Sequence, residues 1–171
     1  GVALLAGKGV VPTPAAASTL TLFSGTAERQ VDGQWRALAD GAAVTAGMRV
    51  RTGPDGHALL TFPDGSTAAL DPATDVQVEQ LSAGTPRQVQ LRQFSGHLWN
   101  DVVSDARVGA TYEVHTADAV VQVHGTVFET AVENGQASVA TSEGNVDLLL
   151  GADRVPVPAG EVIRKIGRAH V

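Results

Sequence analysis

The stretch that decides the fold is Tyr112–Asn134, YEVHTADAVVQVHGTVFETAVEN. It divides into three short segments, broken at Asp118 and at His124-Gly125-Thr126. β-Branched residues fill the segments, while Gly and Asp mark the breaks, which is the pattern of strands joined by tight turns. The third segment, Val127–Val132, runs into Glu133-Asn134-Gly135-Gln136. Asn-Gly accepts the positive φ of a two-residue hairpin loop, so this segment is expected to fold back onto Ala137–Thr141. The run Ala119–Val123, AVVQV, is apolar at adjacent positions and reads as a central strand buried on both faces. No arrangement within the stretch could do chemistry.

An earlier block, Arg49–Pro72, RVRTGPDGHALLTFPDGSTAALDP, is patterned in the same way. Across the chain, five Asx-Gly pairs act as turn signals: Asp32-Gly33, Asp40-Gly41, Asp55-Gly56, Asp64-Gly65 and Asn134-Gly135. Between them lie runs with period-2 alternation. Val76 and Val78 with the offset Leu81 form one, and Val89 and Leu91 another. Val146, Leu148 and Leu150 form a third, and Val155 and Val157 a fourth. Short strands at this spacing predict an all-β sandwich, barrel or roll. No long segment has helical period; Leu98–Val103 reads as either a turn of helix or a strand.

Composition agrees with a globular domain. The chain has 171 residues, 43% hydrophobic and 18% charged, enough for one domain with a core. Its large anchors are expected to be Phe62, Phe94, Trp99, Phe128 and Trp35. The net charge is −6 and the 12 basic residues are scattered, which argues against a nucleic-acid partner. With no cysteine, a disulfide framework, a zinc knuckle and a thiol nucleophile are excluded.

The ends differ from the middle. Gly1–Gly7, GVALLAG, is apolar but too short to span a bilayer. Pro12, Thr13, Pro14 and Ala15–Ser18 have linker composition. This end reads as the outer end of a transmembrane helix, as a signal segment with Ala15-Ala16-Ala17 at its cleavage site, or as a plain linker. Ile166–Val171, IGRAHV, reads as the translation of a sequencing adapter and is expected to be non-native. The expected organisation is therefore a 1–18 anchor or signal end with linker, a 19–165 β-domain, and a foreign 166–171 tail.

Candidate chemistry is sparse. His115 and His124 could approach by strand pairing, with Glu113 or Glu129 as a third metal ligand, but lone polar strand residues explain them as well. Asp64, Asp71 and Asp75 with Ser66 could suggest a calcium loop; their spacing fits turns better. No G-x-S-x-G or phosphate-binding loop occurs. Gly125-Thr126 reads as a structural corner, with Gly allowing close backbone approach and Thr bonding a neighbouring backbone group. No catalytic, cofactor or metal residue is assigned.

The two blocks together resemble the FecR domain. The resemblance begins at Gly33-Gln34-Trp35-Arg36-Ala37-Leu38 and continues through Arg51-Thr52-Gly53 and Asp64-Gly65-Ser66. It then runs through Gly96, Leu98-Trp99, Tyr112, Gly125-Thr126, Phe128 and Glu143-Gly144 to Ala159-Gly160, and covers about Leu22 to Val162. It implies a twisted β-solenoid or roll of short strands. It also implies a regulatory or sensor module on the periplasmic or outer side of a bacterial inner membrane, usually tethered by one helix. Such domains act by protein–protein interaction in signalling to an ECF-type sigma factor, with a transporter signalling domain among the partners. Other members are envelope modules without sigma-factor linkage, structural or glycan-binding. No cofactor is implied. Two positions depart from the family pattern: Thr116-Ala117 stands where Thr-Pro is frequent, and His124 stands where Arg is usual.

Overall fold

The computed structural model describes residues 15–167. The expectations for residues 1–14 and for residues 168–171 lie outside the described residues. The described chain forms sixteen strands and no helix. The first eight are β1 (Ala17–Ser24), β2 (Ala27–Val31), β3 (Gln34–Ala37), β4 (Ala43–Thr45), β5 (Arg49–Thr52), β6 (His57–Thr61), β7 (Thr67–Leu70) and β8 (Asp75–Leu81). The rest are β9 (Gln88–Asp101), β10 (Thr111–His115), β11 (Val120–Val123), β12 (Val127–Glu133), β13 (Gln136–Glu143), β14 (Asn145–Leu150), β15 (Asp153–Pro158) and β16 (Val162–Ile166).

The strands assort into two layers. One runs β4-β1-β6-β7-β9-β12-β13-β16, and the other β3-β2-β5-β8-β9-β10-β11-β14-β15. β9 belongs to both. Its first half pairs with β8 and, in parallel, with β10; its second half pairs with β7 and β12. The change of layer falls at Gly96, which has φ +87°. A Cβ there would lie 2.5 Å from the Thr74 Cα, so only glycine lets β9 bend against this neighbour. The all-β class stands. The sheet is not closed, and the pairing does not by itself establish a solenoid or roll.

The turns follow the Asx-Gly pairs. Asp32 (φ +50°) with Gly33 (φ +77°) joins β2 to β3, and Asn134 (φ +52°) with Gly135 (φ +73°) joins β12 to β13. Both central residues being left-handed is the loop that matches the twist of the flanking strands. Between β6 and β7, Gly65 N–H donates to Phe62 O at 2.9 Å, and Gly65 itself is left-handed at φ +92°. Asp55-Gly56 works differently. Gly56 N–H closes a turn onto Gly53 O at 3.0 Å, with Pro54 at the second position.

The core lies between the layers. Tyr112 from β10 stands edge-on between Phe62 and Phe128, ring centroids 5.9 and 6.2 Å away. Its hydroxyl donates to Asn100 Oδ1 on β9 at 2.7 Å. Around this trio pack Leu20, Leu60, Leu91, Leu98, Val121 and Leu148, all fully buried. The expected anchors Phe94 and Trp99 are corrected. They are 38% and 44% exposed, because β9 points Val89, Leu91 and Gln93 inward before its bend, and Leu98 and Asn100 after it. Trp35 is half-buried on the outer face, where Arg51 lies over its ring at 4.0 Å. The expectation of a strand buried on both faces at Ala119–Val123 is corrected too. β11 is central, paired with β10 and β14, yet only Val121 and Val123 are buried, with Val120 and Gln122 half-exposed. Leu98–Asp101 is strand, as the second half of β9.

Candidate functional site

The residues of the resemblance gather mainly at two corners where the chain passes between layers. At the first, Thr52 Oγ1 donates to Asp71 O at 2.6 Å and accepts Thr74 N–H at 3.0 Å. Gly53 N–H donates to Thr26 O at 2.9 Å, and a Cβ on Gly53 would lie 2.3 Å from Thr26 Oγ1. Arg51 points outward and pairs with Glu28 at 3.0 Å.

The second corner is His124-Gly125-Thr126. Thr126 exchanges backbone bonds with Val102 at 2.9 and 3.2 Å, and its Oγ1 donates to Asn145 O at 3.1 Å. A Cβ on Gly125 would lie 2.6 Å from Ser104 Cα. Gly144, left-handed at φ +75°, faces the same spot: its Cβ would lie 2.7 Å from Gly125 O. Phe128 continues into the core. Glu143 and Trp99 stay at the surface. Beside the corner, Ser66 is fully buried and its Oγ accepts Val103 N–H at 2.9 Å. Asp64 caps Ser66 through N–H and Oγ, both at 2.9 Å.

What holds this corner is Arg87, which the sequence reading passed over. Its side chain is only 3% exposed. The guanidinium donates to Asp64 Oδ2 at 3.0 Å, to Thr111 O at 3.3 Å, to His124 O at 3.2 Å, and to Val103 O. Arg87 N–H donates to Asp105 Oδ2 at 3.3 Å. The Asp105 carboxyl is held far below the usual carboxylate range, first by the Arg107 side chain and then by the backbone N–H groups of Arg107 and Arg87. The corner therefore has a buried cation in Arg87, with His124 at the position where the resemblance leads one to expect Arg. The His124 ring is exposed; only its carbonyl is used. The signal that marks Arg87 is parity: it continues inward the alternation of Val89 and Leu91.

The proposed metal groupings separate. Pairing of β10 with β11 sets His115 opposite Val120 and Tyr112 opposite Val123, so His115 and His124 lie at opposite ends of the hairpin. His115 bonds Glu113 at 2.8 Å, and Glu129 bonds His97 instead. Asp64 serves Ser66 and Arg87, while Asp75 takes a two-pronged contact from Arg49 at 2.8 Å. Asp71 contributes its carbonyl to Thr52. No group of three or more metal-ligating side chains assembles among the described residues.

A groove of about 440 Å³ lies on the outer face of β9, β12, β13 and β16. Ala131, Ser138 and Ala140 are among its small lining residues, His97, Glu129 and Glu133 line it too, and so do Val162 and Arg164. His97 bridges the two carboxylates, Nδ1 to Glu129 at 2.9 Å and Nε2 to Glu133 at 2.6 Å. Glu129 first, then Glu133, raises the imidazole pKa above its ordinary value, against some desolvation.

Comparison with known proteins bears on this geometry. The family described as FecR protein matches residues 48–147, a span that holds both corners and Arg87. The chain belongs to the FecR family. No curated protein matches it. Among solved structures, the FecR-family chain resembles two crystal structures of a candidate anti-sigma factor from Parabacteroides distasonis, at 2.50 and 1.65 Å. The TM-scores are 0.56 and 0.54 and the identities 18% and 20%. Each match covers 70% of this chain and 59% of the other, so the chain spans under two thirds of the proteins it resembles. At that identity the likeness is one of fold.

Proposed function

We propose that this FecR-family domain is a regulatory or sensor module that works by binding another protein, outside the cytoplasmic membrane, in a pathway that controls an ECF-type sigma factor. The observation that carries the reading is the family match across residues 48–147. The fold supports it. Its polar clusters around Thr52 and Arg87 hold corners, and the domain acts without catalysis. The partner adds a strand to an open sheet edge. Of the four edges formed by the described residues, β3 and β4 have only four and three residues. β15 carries Pro156 and Pro158, which guard an edge against pairing. β16 is the least guarded, with Val162 48% exposed, and it borders the groove beside His97. A signalling domain of an outer-membrane transporter fits the family context. A membrane tether before residue 19 belongs to the same proposal.

The test is transcriptional. Deleting the gene in its source cell should change transcription from promoters of the cognate sigma factor, and Val162→Lys should reproduce that change. Unaltered transcription in the deletion would remove the sigma linkage. Retention of the purified chain on peptidoglycan would then favour the second reading, an envelope structural or glycan-binding module.

A further inference from the structure

The layer that holds the second half of β9 carries an apolar row on its outer face. Leu59, Ala69, Trp99, Glu129, Ala140 and Val162 stand in one register line, from β6 to β16. Neighbouring strands are about 4.8 Å apart, so the row is about 24 Å long. Trp99 stands near its centre, 44% exposed, and Val162 closes it, 48% exposed. Two carboxylates flank the indole. Asp101 follows Trp99 two residues along on the same face and is exposed. Glu129 stands directly across on β12, a spacing of about 5 Å between Cβ atoms. Glu129 bonds His97; the Asp101 carboxylate has no partner among the described residues.

The chain shows twice how such a place is filled. On the other layer, Arg49 lies over Phe94, 3.8 Å from the ring centroid, and grips Asp75 with two bonds of 2.8 Å. Arg51 lies over Trp35 at 4.0 Å and pairs with Glu28 at 3.0 Å. In each case an outward aromatic, a guanidinium and a carboxylate form one unit. Trp99 has the aromatic and the carboxylates, but no guanidinium lies over it among the described residues.

We infer that Trp99 docks a protein partner through an arginine, whose guanidinium covers the indole and bonds Asp101, while aliphatic side chains beside that arginine pack on Leu59, Ala69 and Ala140. Arginine fits better than lysine, because its planar head both stacks on a ring and forks onto a carboxylate. A second copy laid on the same centre would set Asp101 and Glu129 against their own equivalents, so the face does not fit itself. The inference rests on the proposed function only in taking the partner to be a protein. The row ends on β16, so a strand added at that edge would continue into it.

The probe is a capped pentapeptide, glycine-leucine-arginine-leucine-glycine. Its control carries citrulline, which keeps the shape of arginine and loses the charge. The isotope-labelled chain is titrated with each, and the indole N–H signals of Trp99 and Trp35 are followed by NMR. The arginine peptide should shift Trp99 saturably and bind about tenfold tighter than the citrulline peptide. Trp35, already covered by Arg51, should not move. Asp101→Asn should weaken binding about threefold. Ala69→Arg sets a guanidinium directly across from Trp99 and should abolish the shift without lowering the melting temperature. Equal affinity for the two peptides, no saturable shift of Trp99, wild-type affinity in Asp101→Asn, or shifts that survive Ala69→Arg would overturn the inference. So would a Trp99 signal that moves with the chain's own concentration, which would mean that a second copy covers the face. The promoter test above can fail while this binding holds, and the reverse.

Discussion

Tyr112 and Asn100 join the two layers through a single hydrogen bond, hydroxyl to Oδ1 at 2.7 Å, with both residues fully buried. Burial pushes the Tyr112 phenol well above its ordinary pKa, so it remains a donor at neutral pH. Tyr112→Phe keeps the rings against Phe62 and Phe128 but orphans Asn100 Oδ1. The expected cost is about 1–3 kcal/mol, read as a lower urea midpoint with an unchanged slope.

Arg87→Met should cost more. It leaves Asp64 without its cation and takes one donor from each of the carbonyls of Thr111, Val103 and His124, of which His124 O keeps Asp105 N–H. Removing one partner of a buried pair costs about 3–5 kcal/mol; partial exposure of Asp64 places the loss near the lower end. Arg87→Lys should not rescue it, because an ammonium cannot reach these acceptors with a planar fork. Thermal denaturation of the three proteins checks both statements.

Gly125→Ala and Gly135→Ala separate crowding from backbone strain. At Gly125 the new methyl meets the Ser104 backbone at 2.6 Å, and overpacking of this kind costs about 1–3 kcal/mol or more. At Gly135 nothing lies within 4 Å, and only the positive φ opposes the change, about 1–2 kcal/mol. Denaturant titration should rank Gly125→Ala as the more damaging.

Some of this was legible and some was not, and β9 shows why. Asn134-Gly135 and Asp32-Gly33 declare their turns because the required φ is a property of two residues. The offset of Leu81 from Val76 and Val78 coincides with a register shift between Val78 and Gln80. Phe94 and Trp99 misled because their size suggested core while their parity pointed outward. The bend at Gly96 switches which parity is inside, and that switch depends on Thr74, far away in sequence. Arg87 and Gln93 lie on the inward parity of Val89 and Leu91, yet Asp64, Val103 and His124, which Arg87 binds, and Thr130, which Gln93 binds, are remote in sequence and no local pattern reveals them. The FecR markers at residues 51–53 and 124–126 named the family; they did not reveal that Arg87 secures the second corner.

His97 should make stability depend on pH. Its pKa is raised in the folded state, first by Glu129, from an unfolded value near 6.5. The contribution is thus fully present below about pH 6.5 and is lost as pH rises through the folded value. NMR titration should place the His97 ring above 6.5, and Glu129→Gln should lower it. A wild-type ring titrating at or below 6.5 would contradict the assignment.

Because β9 is a member of both layers, neither can melt while the other persists. Fraying that starts at the β3 or β15 edge can travel inward only until it meets this shared spine, where further opening means losing everything at once. A tug on one layer by a bound partner is likewise felt by the other through fourteen continuous residues. The domain is built to yield as a unit, and a load applied at one face is carried by the whole.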